Sequence, residues 1–100
     1  MVRKEGLDLD NFKIIIYPNC YLDKIPFVIV TNGKFELEVD LFSFRVTHHY
    51  MGNIDGMIQL YQEFSEWCCQ DENSKLLILW WMENNKQNFY YQFLIKKIQP

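Results

Sequence analysis

Apolar and polar residues alternate strictly in the middle of the chain, over residues 34–41. Every second side chain of a β-strand lies on the same face, so this pattern predicts a strand with one buried and one polar face. The apolar members are Phe35, Leu37, Val39 and Leu41, and the polar members are Lys34, Glu36, Glu38 and Asp40. Asn32-Gly33 connects this strand to the apolar run PFVIVT (26–31), and that dipeptide is typical of a tight hairpin.

Two further features belong to the first half of the chain. FKIIIY (12–17) is β-branched and aromatic, which predicts another strand, whereas the polar residues 1–11 are predicted to be loosely held. The alternation slips by one position at Leu41-Phe42. Because such a slip turns every later side chain to the other face, we expect a bulge or a sharp bend there.

One amphipathic helix is predicted over residues 53–69. Apolar residues recur at helical spacing along this stretch, and polar residues occupy the opposite side. Asn53 or Asp55 can cap its N-terminus. The predicted buried stripe consists of Ile54, Met57, Ile58, Tyr61, Phe64 and Cys68, widened by Leu60 and Trp67.

The segment KLLILWWMENNKQNFYYQFLIKKI (75–98) contains two apolar runs around a polar tip. Asparagine tolerates the positive φ of tight turns, so the pattern predicts a second hairpin. Strand parity places Leu79 and Trp81 on one face together with Tyr90. We expect that face to point away from the helix, where so many apolar side chains indicate cover by a partner or by the N-terminal segment.

These elements predict the order β-β-β-α-β-β. Short links between neighbouring elements favour antiparallel pairing. One amphipathic helix and about five strands then form a two-layer α+β fold, an antiparallel sheet with the helix packed on one face. With 100 residues, the chain is predicted to be a single domain, 1–100.

Composition and charge argue against several classes of function. The net charge of −3, with scattered Lys and Arg, lacks the basic footprint of a nucleic-acid-binding protein. No apolar run approaches the roughly 18 residues of a membrane helix, and the N-terminus lacks the apolar core of a secretory signal. The three cysteines, two of them adjacent, make a poor disulfide framework. We therefore predict a cytoplasmic protein that binds neither nucleic acid nor membrane directly.

Two residue pairs are candidates for metal or catalytic chemistry, His48-His49 and Cys68-Cys69. Adjacent side chains on a strand or helix point apart whereas metal ligands must converge, so we predict no metal site. No oxyanion loop or acidic orienting motif accompanies them, so we also predict no cofactor and no enzymatic activity. The alternative is a small enzyme or ligand-binding domain in which Cys20 meets His48 and His49 in space.

The candidate binding surface combines the polar face of residues 34–40 with the outer face of the second hairpin. Phe27 and Ile29 fall beside the acidic residues, and an apolar centre with a charged surround is typical of protein interfaces. The aromatic residues suit binding hot spots, and the acidic residues suit a basic protein, such as a toxin or a nucleic-acid-binding effector. The predicted protein-binding residues are Glu36, Glu38, Asp40, Phe27, Ile29, Leu79, Trp81 and Tyr90.

In order and composition, the wet strand KFELEVD, the helix IDGMIQLYQEFSEWC and the closing runs LLILWW and FYYQFLI resemble small bacterial immunity proteins. That family consists of stoichiometric inhibitors of secreted toxins. The resemblance implies a short, acidic, non-enzymatic protein that acts by occluding a protein partner. Phage-encoded inhibitors of bacterial defence, such as anti-CRISPR proteins, share this profile, and the residues do not separate the two groups. They also leave the oligomeric state open.

Overall fold

A computed structural model describes residues 5–17, 25–50, 54–70 and 72–98. Within these ranges, five strands come first along the chain and three helices follow. The strands are β1 (Glu5–Asp8), β2 (Lys13–Ile16), β3 (Phe27–Thr31), β4 (Glu36–Asp40) and β5 (Val46–Tyr50). The helices are α1 (Ile54–Cys68), α2 (Asn73–Asn84) and α3 (Tyr91–Ile98).

The five strands form one antiparallel sheet in chain order, β1-β2-β3-β4-β5, so each strand pairs with its neighbour in sequence. One face, the core face, packs against the helices. Its buried residues are Ile14, Ile16, Val28, Val30, Leu37 and Val39. The opposite face is called the outer face. Across it, the pairing places one row of residues side by side: Ile15, Ile29, Glu38 and His48.

The β3–β4 hairpin forms where it was predicted, but its turn contains four residues, 32–35, rather than two. Gly33 takes a positive φ of 90°. Asn32 shapes the turn with its side chain, because Oδ1 accepts hydrogen bonds from the backbone N–H groups of Lys34 and Phe35, both at 2.9 Å. A turn longer by two residues shifts the pairing by an even number, so every side chain keeps its predicted face.

The chain bends sharply between β4 and β5, where the slipped alternation predicted a bulge or a bend. The N–H of Phe44 donates to the carbonyl of Asp40 at 2.7 Å, and Phe44 has a φ of 58°. Bulky residues rarely adopt this left-handed conformation. β5 then runs back beside β4, with a bulge at which Thr47 is the extra residue next to His48.

α1 packs on β3 and β4, close to the bounds predicted for it. Its fully buried residues are Met57, Leu60 and Phe64. Ile54 and Ile58, which the prediction placed in the buried stripe, are exposed, so the helix is rotated from the predicted orientation. Gly56 allows a close approach to the β3–β4 turn, because an added Cβ would lie 2.2 Å from the ring of Phe35.

Residues 75–98 are largely helical, so the predicted second hairpin is wrong. The buried residues of α2 are Leu77, Ile78, Trp81 and Met82. The buried or half-buried apolar residues of α3 are Tyr91, Leu94, Ile95 and Ile98. Both sets have the spacing of one helix face. In the first apolar run nearly every residue is apolar, so the spacing of apolar residues does not distinguish a strand from a helix. The leucines in this run favour a helix.

The prediction of an α+β fold with a five-stranded antiparallel sheet is confirmed, but the described residues form three helices rather than one. The strand count agrees because β1 and β5 replace the two strands expected near the C-terminus. β1 lies in the segment predicted to be loosely held. It is short and polar, as edge strands commonly are, and Asp8 lies 3.7 Å from the Lys13 ammonium of β2.

Candidate functional site

The acidic residues of β4 lie together on the outer face of the sheet, as predicted. We call Glu36, Glu38 and Asp40 the acidic row. In the register of the sheet, Ile29 is opposite Glu38 and Phe27 is opposite Asp40, so these predicted neighbours are brought together. Ile29 is nevertheless buried, whereas Phe27 is half-buried. The apolar centre that this surface offers a partner is therefore smaller than the sequence pattern indicated.

Glu38 is the buried member of the acidic row, with only 5% of its surface exposed. Its Oε2 accepts a hydrogen bond from Thr47 Oγ1 at 2.7 Å and lies 2.9 Å from His48 Nδ1. The bulge in β5 makes this possible, because it sets Thr47 and His48 both against Glu38. The Glu38 carboxylate therefore stabilises the pairing of β4 with β5. The accessible charges of the acidic row are those of Glu36 and Asp40.

Asp40 connects the acidic row to the bend that follows β4. Its carboxylate accepts hydrogen bonds from the N–H of Phe42 at 2.7 Å and from Ser43 Oγ at 3.1 Å. Lys97 of α3 donates to the carbonyl of Phe42 at 2.5 Å. The ring of Phe42 packs against the core and lies at the junction between this bend and the residues that connect α2 to α3.

Four aromatic side chains meet at this junction. We call Phe42, Phe89, Tyr90 and Phe93 the aromatic cluster. The ring centroid of Tyr90 lies 6.2 Å from that of Phe42, 5.2 Å from that of Phe89 and 6.2 Å from that of Phe93. Phe89 is 67% exposed and Phe93 is 48% exposed. Two large apolar rings thus stand in solvent, and Tyr90 connects them to Phe42, two residues after Asp40.

Buried asparagines hold the link between α2 and α3, residues 85–90, which carries Phe89 and Tyr90. Asn85 Nδ2 donates to the carbonyl of Trp81 at 3.0 Å, and Asn88 Oδ1 accepts from the N–H of Tyr90 at 2.7 Å. Backbone bonds from Asn88 N–H to the carbonyl of Asn85, and from Tyr91 N–H to that of Asn88, close the link. Since both amides are buried, the link has a defined shape.

The predicted site residues of the C-terminal segment lie in different places. Trp81 is 3% exposed and belongs to the core, and Leu79 is exposed on α2, away from the sheet face assigned to it. Their predicted placement beside the acidic row is wrong, because it assumed the period of a strand in a segment that is helical. Tyr90, on the α2–α3 link, contacts Phe42, which follows Asp40 of the acidic row by two residues.

The predicted alternative site combines Cys20 with the two histidines. Cys20 lies outside the described residues, so only the positions of the histidines are compared. His48 lies on the outer face with Glu38, whereas His49 lines a cavity against α1 together with Ile54 and Tyr61. The two rings therefore face opposite sides of the sheet. Among the described residues, no three His, Cys, Asp or Glu side chains are placed to hold a metal ion together.

No protein-family model, no curated protein and no solved structure matches this chain. Of the helices in the described ranges, none combines the length and the apolar character needed to cross a membrane.

Proposed function

We propose that this protein is a small stoichiometric inhibitor, of the kind to which immunity proteins belong, that binds a basic protein in the cytoplasm and occludes it. The proposed contact surface is the aromatic cluster with the accessible part of the acidic row beside it. The observation on which the proposal rests is the exposure of Phe89, on a link of defined shape, and of Phe93 in the first turn of α3.

The aromatic cluster has the properties of a binding hot spot. Rings that stay exposed in the free chain gain most from burial by a partner, and aromatic residues dominate the energetics of protein interfaces. Because the buried Asn85 and Asn88 already fix the link, little conformational entropy is lost on binding. A second exposed pair, Leu76 and Leu79, lies on α2, where Leu76 borders a groove with Trp67 and Trp80 rather than the aromatic cluster.

The accessible acidic residues supply the charge of the proposed surface. Glu36 and Asp40 are half-buried on the outer face, and Asp40 adjoins Phe42 of the aromatic cluster. Negative charge at the rim of an interface steers the approach of a positively charged partner and raises the association rate. Nuclease toxins and nucleic-acid-binding effectors of the defence systems that phages inhibit are partners of this chemistry.

Site-specific photo-crosslinking tests the proposal in the cells that naturally make the protein. One variant carries p-benzoylphenylalanine in place of Phe89. Its matched control carries the same group in place of Leu76, which is similarly exposed but lies near the start of α2. We expect irradiation to link a basic protein to position 89 and not to position 76.

The captured protein is then purified and assayed for its own activity with increasing amounts of the unmodified chain. Complete inhibition at an equimolar ratio is the expected result. Equal crosslinking from both positions, or a captured protein whose activity is unaffected at saturation, would overturn the proposal.

A further inference from the structure

A cavity of about 470 Å³ lies where the three helices meet the bend after β4. Its apolar wall is formed by Phe44, Phe64 and Ile78, and the last two are almost completely buried. The rings of Phe44 and Phe64 stack with their centroids 6.5 Å apart. The volume falls within the range of about 300–1,000 Å³ that is typical of small-molecule sites.

Phe44 reaches this wall through a strained backbone. Among the described residues it is the only one other than glycine with a positive φ. Its N–H donates to the carbonyl of Asp40 at 2.7 Å, and its own carbonyl accepts from Tyr61 Oη at 2.6 Å. Strained residues persist only where their surroundings determine them, and they cluster at ligand sites. Here the strain places an aromatic ring in the cavity wall.

The polar side of the cavity is positively charged. Lys75 and Lys97 are among its lining residues, and the described residues that line it include no carboxylate. The ammonium of Lys97 lies 5.7 Å from the centroid of the Phe44 ring and also donates to the carbonyl of Phe42, so its position is fixed. Two positive charges on one cavity contrast with the net charge of −3 for the whole chain.

The Cys68 thiol on the same side adds no negative charge. Burial, reinforced by the neighbouring Cys69, raises the pKa of Cys68 to about 12, so this thiol is neutral at pH 7. The hydroxyls of Ser65 and Ser74, also in the lining, can donate hydrogen bonds to an anion.

We propose that this cavity binds a small organic anion with a flat apolar body and a terminal carboxylate. The apolar body lies against Phe44, Phe64 and Ile78. The carboxylate is held by Lys75 and Lys97, since a hydrogen bond between charged groups is about twice as strong as one between neutral groups. This is a small-molecule site, separate in chemistry from the protein-binding surface proposed above.

The test is a titration followed by ¹⁵N–¹H correlation spectra, with 4-phenylbutyrate as the probe and 4-phenylbutan-1-ol as its uncharged counterpart. We expect saturable shifts at residues 64–69, 74–78 and 97–98, with the carboxylate bound about tenfold more tightly than the alcohol. This ratio should fall towards one in the double variant Lys75→Gln/Lys97→Gln. Lys96→Gln, which removes an exposed neighbouring charge outside the lining, should leave the ratio unchanged.

Because Lys97 also anchors the bend after β4, Lys75→Gln is measured alone as well, and the spectrum of each variant establishes that it is folded. Three results would overturn the proposal. One is the absence of saturable shifts in this region. The others are equal binding of acid and alcohol, and a preference for the acid that survives both Lys75→Gln and the double variant.

Discussion

Individual polar residues decide what the outer face of the sheet can present. Glu36 and Glu38 are two positions apart on the same strand and look equivalent in the sequence. The structure separates them, because a bulge on β5 buries Glu38 against Thr47 and His48. No alternation pattern in β4 contains that information, since it depends on where the neighbouring strand gains its extra residue.

This difference predicts unequal effects on stability. Glu38→Ala should lower the free energy of unfolding by about 1–3 kcal/mol, because the hydrogen bonds of this buried carboxylate to Thr47 and His48, which join β4 to β5, are lost. Glu36→Ala removes the same charge from the same strand and should cost less than about 0.5 kcal/mol. Urea denaturation of both variants measures the two values, and equal losses would contradict the structural role assigned to Glu38.

Cys68 gives a residue-scale prediction about pH. Its thiol is neutral in the folded chain up to a pKa of about 12, whereas the ordinary value of 9.0 applies in the unfolded chain. The unfolded state therefore releases this proton first, and the folded state loses stability as pH rises from about 9 towards 12. Below pH 9 the contribution of Cys68 is constant.

The matched pair Cys68→Ala and Cys69→Ala isolates this effect, with a reducing agent present throughout. The unfolding free energy of Cys68→Ala should fall less steeply between pH 9 and 11 than that of Cys69→Ala, whose thiol is exposed. Identical slopes in this window would show that Cys68 is not protected from ionisation by the fold.

At the scale of elements, the sequence was informative where the hydrophobic period was clear. Strict alternation in residues 34–41 identified β4, its faces and its pairing with β3, and helical spacing identified α1. The prediction failed for residues 75–98, because the first apolar run has apolar residues on every side and shows no clear spacing. The sequence of α3 did contain a helical pattern, the spacing of Tyr91, Leu94, Ile95 and Ile98. The prediction missed it because this segment was treated as the strand that pairs with the preceding apolar run.

The candidate site was predictable only in part for the same reason. The acidic row follows from the period of β4, but the aromatic cluster depends on contacts between residues far apart in sequence. Phe42 meets Tyr90 because the bend after β4 lies against the α2–α3 link. In the predicted second hairpin, Phe89 and Phe93 fall on the face opposite Tyr90, which is the face towards the helix. In the helical segment they are exposed instead.

The packing of α1 on the β3–β4 turn is tested by a double-mutant cycle. Gly56→Ala alone should destabilise the protein by about 1–3 kcal/mol, because the new Cβ would overlap the Phe35 ring, despite the better helix propensity of alanine. In a Phe35→Ala background the same change should become neutral or stabilising. Urea denaturation of the four proteins gives both values, and a loss of equal size in both backgrounds would exclude this contact as the cause.

At the scale of the whole molecule, the described helices share one buried core with the sheet, and the proposed binding surface lies around the end of β4 and the bend that follows it. The described chain has its deepest burial on the core face, whereas Asp40 and Phe42, which contacts the exposed part of the aromatic cluster through Tyr90, lie at the bend after β4. This arrangement separates the residues that stabilise the fold from those available to a partner. Variants of the second group can therefore change binding while the protein stays folded.

Charge should control how fast the partner binds. Glu36→Lys is expected to lower the association rate constant severalfold at low ionic strength, and the difference should shrink at 0.5 M NaCl because salt screens exposed charges. Glu66→Lys makes the same change of charge on an exposed position of α1, and its association rate should stay closer to that of the parent. Stopped-flow or biosensor kinetics against the captured partner measures both.

The most direct test of the protein-binding proposal is the affinity of three alanine variants for the captured partner, measured by surface plasmon resonance. Phe89→Ala and Phe93→Ala should each dissociate faster and bind about 30-fold or more weakly, which corresponds to a loss of about 2 kcal/mol. Leu76→Ala, also at an exposed apolar position, should bind within about twofold of the parent. If the two phenylalanine variants bind like the parent, or if Leu76→Ala is weakened as much as they are, the aromatic cluster is not the binding site.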